Sequence, residues 1–361
     1  MGLLVTHLRM HDFRCFAERE VDLAPGTTVL VGPNAVGKTN TVEALQLLTA
    51  GTSFRHPTPV QMVREGAAEA LVHADLEGDG RVLDVECHIA PGRRDFRRNG
   101  KRCQAADVPG TLMSVLFSPD DLSLVKRGAS GRRDELDDFG RQAARGYAKV
   151  ADAYRRAVEQ RNRLLKDPWP DPSLLDAWDA SVAVGGATLL RARLALWERL
   201  AARTSEVYGR IGGEELRCEY VCSLGEVPFG RTRDEIVAVL AERLAAEREE
   251  DLRRQQTTVG PHRDDVRFLI AGRDARNFGS QGQQRSVVLA LKMAEVGICA
   301  EVVGEQPLLL LDDVMSELDA TRREAIMRFV GGGIQTVVTT TNLGYFSPEL
   351  LDSAEVVAFD G

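Results

Sequence analysis

An α/β architecture is expected from this chain of 361 residues. It should hold a sheet core with a glycine-rich loop, an antiparallel β-rich part, and a second helical lobe with a short helical-hairpin arm. Three stretches carry the expectation. Gly32-Pro33-Asn34-Ala35-Val36-Gly37-Lys38-Thr39 fits the spacing G-x-x-x-x-G-K-[ST] at every constrained position. Leu308 to Leu311 end in Asp312 and Asp313, and such an unbroken apolar run suits a strand buried on both faces of a parallel sheet. Between these stretches, residues 132–165 and 174–208 repeat Ala, Leu and Arg at three- and four-residue spacing, which is helical.

The glycine loop sits between a short apolar strand, residues 27–31, and a helix over residues 41–48. Strand, loop and helix N-terminus make an anion site. Glycine lets backbone N–H groups approach phosphates, and the helix dipole favours negative charge there. Lys38 can reach the β- and γ-phosphates of ATP, and the Thr39 hydroxyl is the expected Mg²⁺ ligand.

Composition narrows the class. Apolar residues make up 43% and charged residues 28%, as in ordinary globular proteins. No apolar run approaches the roughly 20 residues of a membrane span, so no membrane partner is expected. The first residues lack the charged start and apolar core of a signal peptide. Six cysteines do not suggest a disulfide framework, and Cys218 and Cys222 have no second Cys/His pair nearby to complete a zinc site. Free thiols and a cytoplasmic setting are expected. A net charge of −8 argues against indiscriminate nucleic-acid binding, yet leaves room for a local basic surface.

In chain order, residues 4–10 read as a strand, and Val21-Asp22-Leu23 as a second, short one. Strands at 70–76 and 82–90 lead to a hairpin marked by Asn99-Gly100, a strong short-range turn signal. That hairpin concentrates Arg93, Arg94, Arg97, Arg98, Lys101 and Arg102 against a single Asp95. Such a cluster either contacts phosphate or stays hydrated on a solvated turn. Val115-Leu116-Phe117 is a further buried strand. The two long helical stretches are separated by Pro168-Trp169-Pro170-Asp171-Pro172 and could pair as an antiparallel hairpin. Gly185-Gly186 in the second suggests a kink or close packing. A strand over 216–224 and a helix over 234–253 follow.

The last third completes the site. Ligands of parallel sheets bind beyond the strands' carboxyl ends, where Asp312 and Asp313 emerge. Asp312 is the natural Mg²⁺ partner, directly or through water, and Asp313 the candidate base or water-positioning residue. Asp319 is a good N-cap for a helix over 320–330. Ser280, followed by Gln281-Gly282-Gln283-Gln284-Arg285, stands where it can cap a helix over 286–303 whose first N–H groups can meet an anion.

A serine-led S-x-G-Q turn before a helix, a buried strand ending in two acids, and a Ser316-Glu317-Leu318-Asp319 turn resemble the ATP-binding-cassette ATPases. In that superfamily the signature serine of one subunit completes the γ-phosphate site of another. The resemblance therefore implies a head-to-tail, ATP-dependent homodimer in which Ser280, Gly282 and Gln283 close over a nucleotide held by residues 32–40, Asn40 included. The long insertion between Lys38 and Ser280 resembles the chromosome- and repair-associated branch. Residues 1–130 and 300–361 would form the ATP-binding lobe, and 131–299 the helical lobe carrying the signature.

Within that branch the chain is similar to the RecF family. Gly32-Pro33-Asn34 with Lys38-Thr39-Asn40, Phe117 to Leu122, Arg132-Arg133, Gly260-Pro261-His262-Arg263-Asp264-Asp265 and Ser280 to Arg285 carry the likeness. It implies an ATP-dependent DNA-binding mediator at single-strand gaps or duplex/single-strand junctions, acting with RecR and RecO to help load RecA. In that setting Arg93, Arg94, Arg97, Arg98 and Arg102 become candidate DNA contacts. Arg132, Arg133, His262 and Arg263 are further candidates that structural salt bridges explain as well. Two departures stand out. Transporter ATPases usually carry glutamate where Asp313 stands, and the shorter acid implies slow hydrolysis suited to a switch; the resemblance implies a weak ATPase that DNA stimulates. The usual switch histidine is replaced within Val337 to Asn342 by a threonine, Thr340 or Thr341, and no clear glutamine marks a loop joining the lobes.

Overall fold

The computed structural model describes residues 2–360. The chain divides into two compact units. One is Met1–Leu122 with Val288–Gly361, and the other is Ser123–Val287. Together they give the expected α/β architecture, with a parallel core sheet, an antiparallel part and a helical part.

The first unit holds two sheets. Its parallel sheet runs in the order Glu355–Ala358, Thr27–Val31, Thr336–Thr340, Leu308–Asp312, Ser114–Phe117, and each neighbouring pair is parallel. Every residue of the leucine strand is buried, as an apolar run with no polar alternation requires. Val31, Asp312 and Thr340 finish at one edge of this sheet. The P-loop helix, Lys38–Ala50, starts there and buries Val42, Leu45, Leu47 and Leu48.

The antiparallel sheet has six strands, ordered Phe16–Asp22, Leu4–Phe13, Ala70–Gly78, Arg81–Ala90, Arg93–Arg98, Lys101–Cys103. The second strand is thus longer than Val21-Asp22-Leu23 suggested, because its outer face is charged and its apolar signal weak. Asn99 (φ 49°) and Gly100 (φ 68°) form the hairpin turn, both in the left-handed region that a two-residue turn needs. Gln335 is 3% exposed and ties the sheets together, with its Oε1 accepting from Val5 N–H and its Nε2 donating to the carbonyls of Val5 and Ala24.

The second unit is mainly helical. The helical stretch expected over 132–165 is two helices, Ala129–Ala143 and Tyr147–Leu164, broken at Gly146 (φ 83°). Pro172–Gly212 follows as one 41-residue helix that passes through Gly185 and Gly186 without interruption. The glycines serve close packing. A Cβ on Gly186 would stand 3.1 Å from Tyr154 and 3.2 Å from Leu240. Arg161, fully buried, donates to Asp179, Asp251 and Thr257 and so pins Tyr147–Leu164 to the long helix. A small antiparallel sheet (Leu216–Val221, Asp265–Ile270, Arg273–Asp274) completes the unit. Gln281–Val303 is a single helix whose first turns belong to this unit and the remainder to the first. No helix among the described residues is long and apolar enough to cross a membrane.

Candidate nucleotide site

The P-loop is held open by backbone shape and by aromatic bracing. Ala35 (φ 69°) and Gly37 (φ 105°) are left-handed, a turn geometry that aims successive N–H groups at one point. Gly37 admits no side chain, since a Cβ would lie 2.2 Å from Phe16 Cζ and 2.9 Å from Cys15 Sγ. Gly32 is as crowded, its Cβ position lying 2.2 Å from the Phe359 carbonyl oxygen. Phe16 and Phe359 meet edge to face at 6.4 Å, so the start of strand Phe16–Asp22 and the residue just past strand Glu355–Ala358 set the loop's shape. Asn40 is held by Arg55, whose Nη1 donates to its Oδ1 at 2.9 Å.

Lys38 is 6% exposed and folds back on the loop, donating to the carbonyls of Gly32 (2.7 Å) and Pro33 (2.6 Å). Burial pulls its pKa below the usual lysine value, and the nearby carboxylates of Asp313 and Asp312 oppose that shift. Thr39 and Thr339 both donate to Asp312 Oδ1, at 2.9 and 2.8 Å. Burial raises the Asp312 pKa against those two hydrogen bonds and the charge of Arg55. Thr339 Oγ1 also accepts from the Asp313 N–H at 2.8 Å. Asp313 itself adopts φ 50°, and its Oδ1 is buried without any hydrogen-bond partner. Burial lifts its pKa too, with Lys38 pulling it down and Glu317 pushing it up.

This donor set suits a magnesium nucleotide. A buried carboxylate oxygen with no partner is expensive unless another molecule supplies one, and a lysine resting on neutral carbonyls gains by meeting phosphate. Mg²⁺ is usually held by one or two carboxylates plus substrate phosphates, so Asp312 and Thr39 are a sufficient protein share.

Comparison with known proteins supports the same class. Residues 4–349 match the family described as the RecF/RecN/SMC N terminal domain. The DNA replication and repair protein RecF of Symbiobacterium thermophilum is 42% identical over 347 residues, covering 94% of this chain and 92% of its own. That of Desulforudis audaxviator is 39% identical, covering 93% of each chain. The chain belongs to the RecF family. A solved structure of the recombination mediator protein RecF-ATPrS in the RecFOR pathway aligns with TM-score 0.90 at 31% identity, over 96% of this chain and 94% of that one. Its RecF-ATP counterpart aligns at 0.88. The SmcHead bound to the C-winged helix domain of ScpA shares only the fold, at TM-score 0.56 and 15% identity.

Other residues expected from the RecF resemblance are distributed as follows. Ser280 is exposed and makes a reciprocal cap with Gln283. Its Oγ accepts from the Gln283 N–H (3.1 Å), while Gln283 Oε1 accepts from the Ser280 N–H (2.8 Å). Gln283 Nε2 also donates to Glu214. Gly282 lies in the first turn of that helix. Thr340 is fully buried with its hydroxyl engaged by Asn342, whereas Thr341 is exposed just past the strand. In the hairpin, Arg93 and Arg102 pair with Asp95, Arg97 lies 3.5 Å from Glu86, and Arg98 donates to Thr111. Arg94 is half-buried on the face of its strand that carries Phe96. Arg132 and Arg133 are bonded inside the second unit, to Asp265 and to the Asp264 carbonyl. Arg263 donates to the Thr257 carbonyl. Burial lowers the His262 pKa to about 4.

Two contributors escape motif reading. Thr339 sits inside a buried strand where nothing marks its hydroxyl as a clamp on Asp312 and Asp313. Arg55 is 12 residues beyond Glu43 in a polar link, yet its guanidinium reaches Glu43, Asn40 and the field of Asp312. The Arg55 signal was a charged residue in a link directly after the P-loop helix.

Proposed function

We propose that this protein is an ATP-dependent, DNA-binding recombination mediator that uses slow hydrolysis as a switch. Its RecF relatives are named for DNA replication and repair, and one solved relative for the RecFOR pathway. The substrate is DNA at single-strand gaps or duplex/single-strand junctions, and the partners are RecR, RecO and, downstream, RecA. The supporting observation is the buried, unpartnered Asp313 oxygen beside a lysine that has only loop carbonyls to bind.

Lys38 exchanges its two neutral acceptors for anionic phosphate oxygens, so that bonds charged on one side become bonds between opposite charges. The loop N–H groups of residues 34–39 take the remaining phosphate charge. Mg²⁺, held by Thr39 and Asp312, would neutralise charge on the departing phosphates. Asp313 receives the proton of the attacking water, and its short side chain reaches less far than glutamate would. Ser280, Gly282 and Gln283 of a second copy close over the γ-phosphate, with Thr341 the exposed candidate for sensing it. Closure therefore links nucleotide state to dimerisation, and loss of the γ-phosphate reopens the dimer. DNA is held by phosphate contacts, with the Arg93–Arg102 hairpin among them.

Sedimentation with and without ATP, repeated with a gapped duplex, tests this reading. The expected result is a monomer that becomes a dimer with ATP and co-sediments with the gapped DNA. A chain that stays monomeric at saturating ATP, or ignores DNA in both states, overturns it.

A further inference from the structure

The helical arm carries a second basic surface, unlike the hairpin in one respect. On helix Tyr147–Leu164 the residues Tyr147, Ala151, Tyr154, Val158 and Arg161 face inward. Lys149, Arg156 and Arg163, spaced by seven, fall on the opposite face and are all exposed. At 1.5 Å per residue they form a row about 21 Å long. Arg145 precedes the row and Lys166 extends it, both exposed. None of these five cations makes an ion pair or side-chain hydrogen bond among the described residues. The helix itself carries two acids, Asp152, already engaged by Arg141 at 3.0 Å and Arg155 at 3.5 Å, and the exposed Glu159, and Asp167 follows Lys166. The hairpin's Arg93, Arg97 and Arg102, by contrast, each stand beside a carboxylate.

An unpaired cationic row runs against the chain's composition, which has 54 acids to 46 bases. Soluble helices usually intersperse both signs on an exposed face. The row also leads somewhere. It ends in Asp167-Pro168-Trp169-Pro170-Asp171-Pro172, where Trp169 is 90% exposed. Three prolines and a bond from the Trp169 N–H to Asp167 Oδ1 (3.0 Å) hold that tip in shape. Leu174, 51% exposed, lies just beyond it. A pre-shaped indole in water at the end of a row of unpaired cations fits one polymer chemistry. Phosphates neutralise the row, and a base freed from pairing stacks on the ring.

We propose that this arm is a nucleic-acid contact, with Lys149, Arg156 and Arg163 lying on backbone phosphates and Trp169 stacking on an unpaired base at a duplex/single-strand junction. The proposal rests on the DNA-binding reading above and adds a location on the protein and the residue that would meet the single strand.

The test compares a blunt duplex with the same duplex carrying a single-stranded tail. Binding to the full-length protein with ATP and Mg²⁺ is followed by fluorescence anisotropy across a salt series. K149E/R156E/R163E is expected to weaken both ligands at least tenfold and to reduce the slope of log K against log salt by about 2.7, at 0.9 per contact. The milder K149Q/R156Q/R163Q set should move the slope the same way, and unchanged ATP binding confirms that both variants fold. W169A should weaken the tailed ligand about tenfold and leave the blunt duplex unaffected. If the wild-type protein binds DNA and the lysine/arginine variants keep its salt slope, the arm proposal is overturned while the DNA reading stands. If W169A binds the tailed ligand as wild type does, the stacking role falls. A wild-type protein that binds neither ligand sinks both readings.

Discussion

Asp313 has the least ordinary surroundings of any residue in the site. Its backbone is left-handed, its Oδ1 is buried and unpartnered, and burial raises its pKa from the ordinary aspartate value. An acid in that condition is poised to accept a proton. Asp313→Asn should therefore cut ATP turnover at least a hundredfold, as loss of a general base does, while nucleotide still binds and an ATP-bound dimer accumulates. Normal turnover in that variant would remove Asp313 from the role. The wild-type pH profile follows from the two shifts. In kcat/KM, which reports the free enzyme, activity is expected to rise as Asp313 ionises through its raised pKa and to fall on the alkaline side as Lys38 loses its proton at a lowered one. Both carboxylates were legible in the sequence because four leucines aim them out of a buried strand. The clamp from Thr339 was not legible, since a threonine in a buried strand gives no sign of which way its hydroxyl turns.

At the level of single elements, the Arg93–Arg98 and Lys101–Cys103 hairpin is the instructive case. Asn99-Gly100 announced the turn, and the turn is where the sequence put it, because two consecutive left-handed residues are chemically marked. The hairpin's electrostatics were not readable in the same way. Alternation sends Arg93, Asp95 and Arg97 to one face, and the cross-strand register then sets Glu86 opposite Arg97 and Arg102 on its other side. That register is a long-range fact, absent from local composition. It leads to a signed expectation. Asp95→Asn releases Arg93 and Arg102, so duplex binding should tighten and its salt slope steepen by about one phosphate contact, roughly 0.9. Salt titrations of the variant against wild type read this directly. An unchanged slope would mean that the hairpin does not touch DNA. The second helical stretch shows the converse limit. Gly185 and Gly186 allow a kink or close packing, and only the approach of Tyr154 and Leu240 decides for packing.

For the whole molecule, the decisive question is whether the nucleotide pocket is made by one chain or by two. The P-loop and both aspartates belong to one compact unit, and the Ser280 turn, which begins helix Gln281–Val303, belongs to the other. Ser280 is exposed, its hydroxyl accepts a hydrogen bond from Gln283, and its helix presents free N–H groups, so a phosphate from another copy can reach it. Single substitutions cannot separate a shared pocket from a self-contained one, because Lys38→Ala and Ser280→Arg inactivate either. Mixing the two can. In a head-to-tail pair, the Ser280→Arg chain still supplies an intact P-loop and the Lys38→Ala chain an intact signature turn, which together rebuild one of the two pockets. Each variant alone should be inactive and monomeric with ATP, and the equimolar mixture should recover ATPase activity and sediment as a dimer. If serine and lysine served the same chain's nucleotide, no mixture could place both intact groups in one pocket, and activity would stay absent at every ratio.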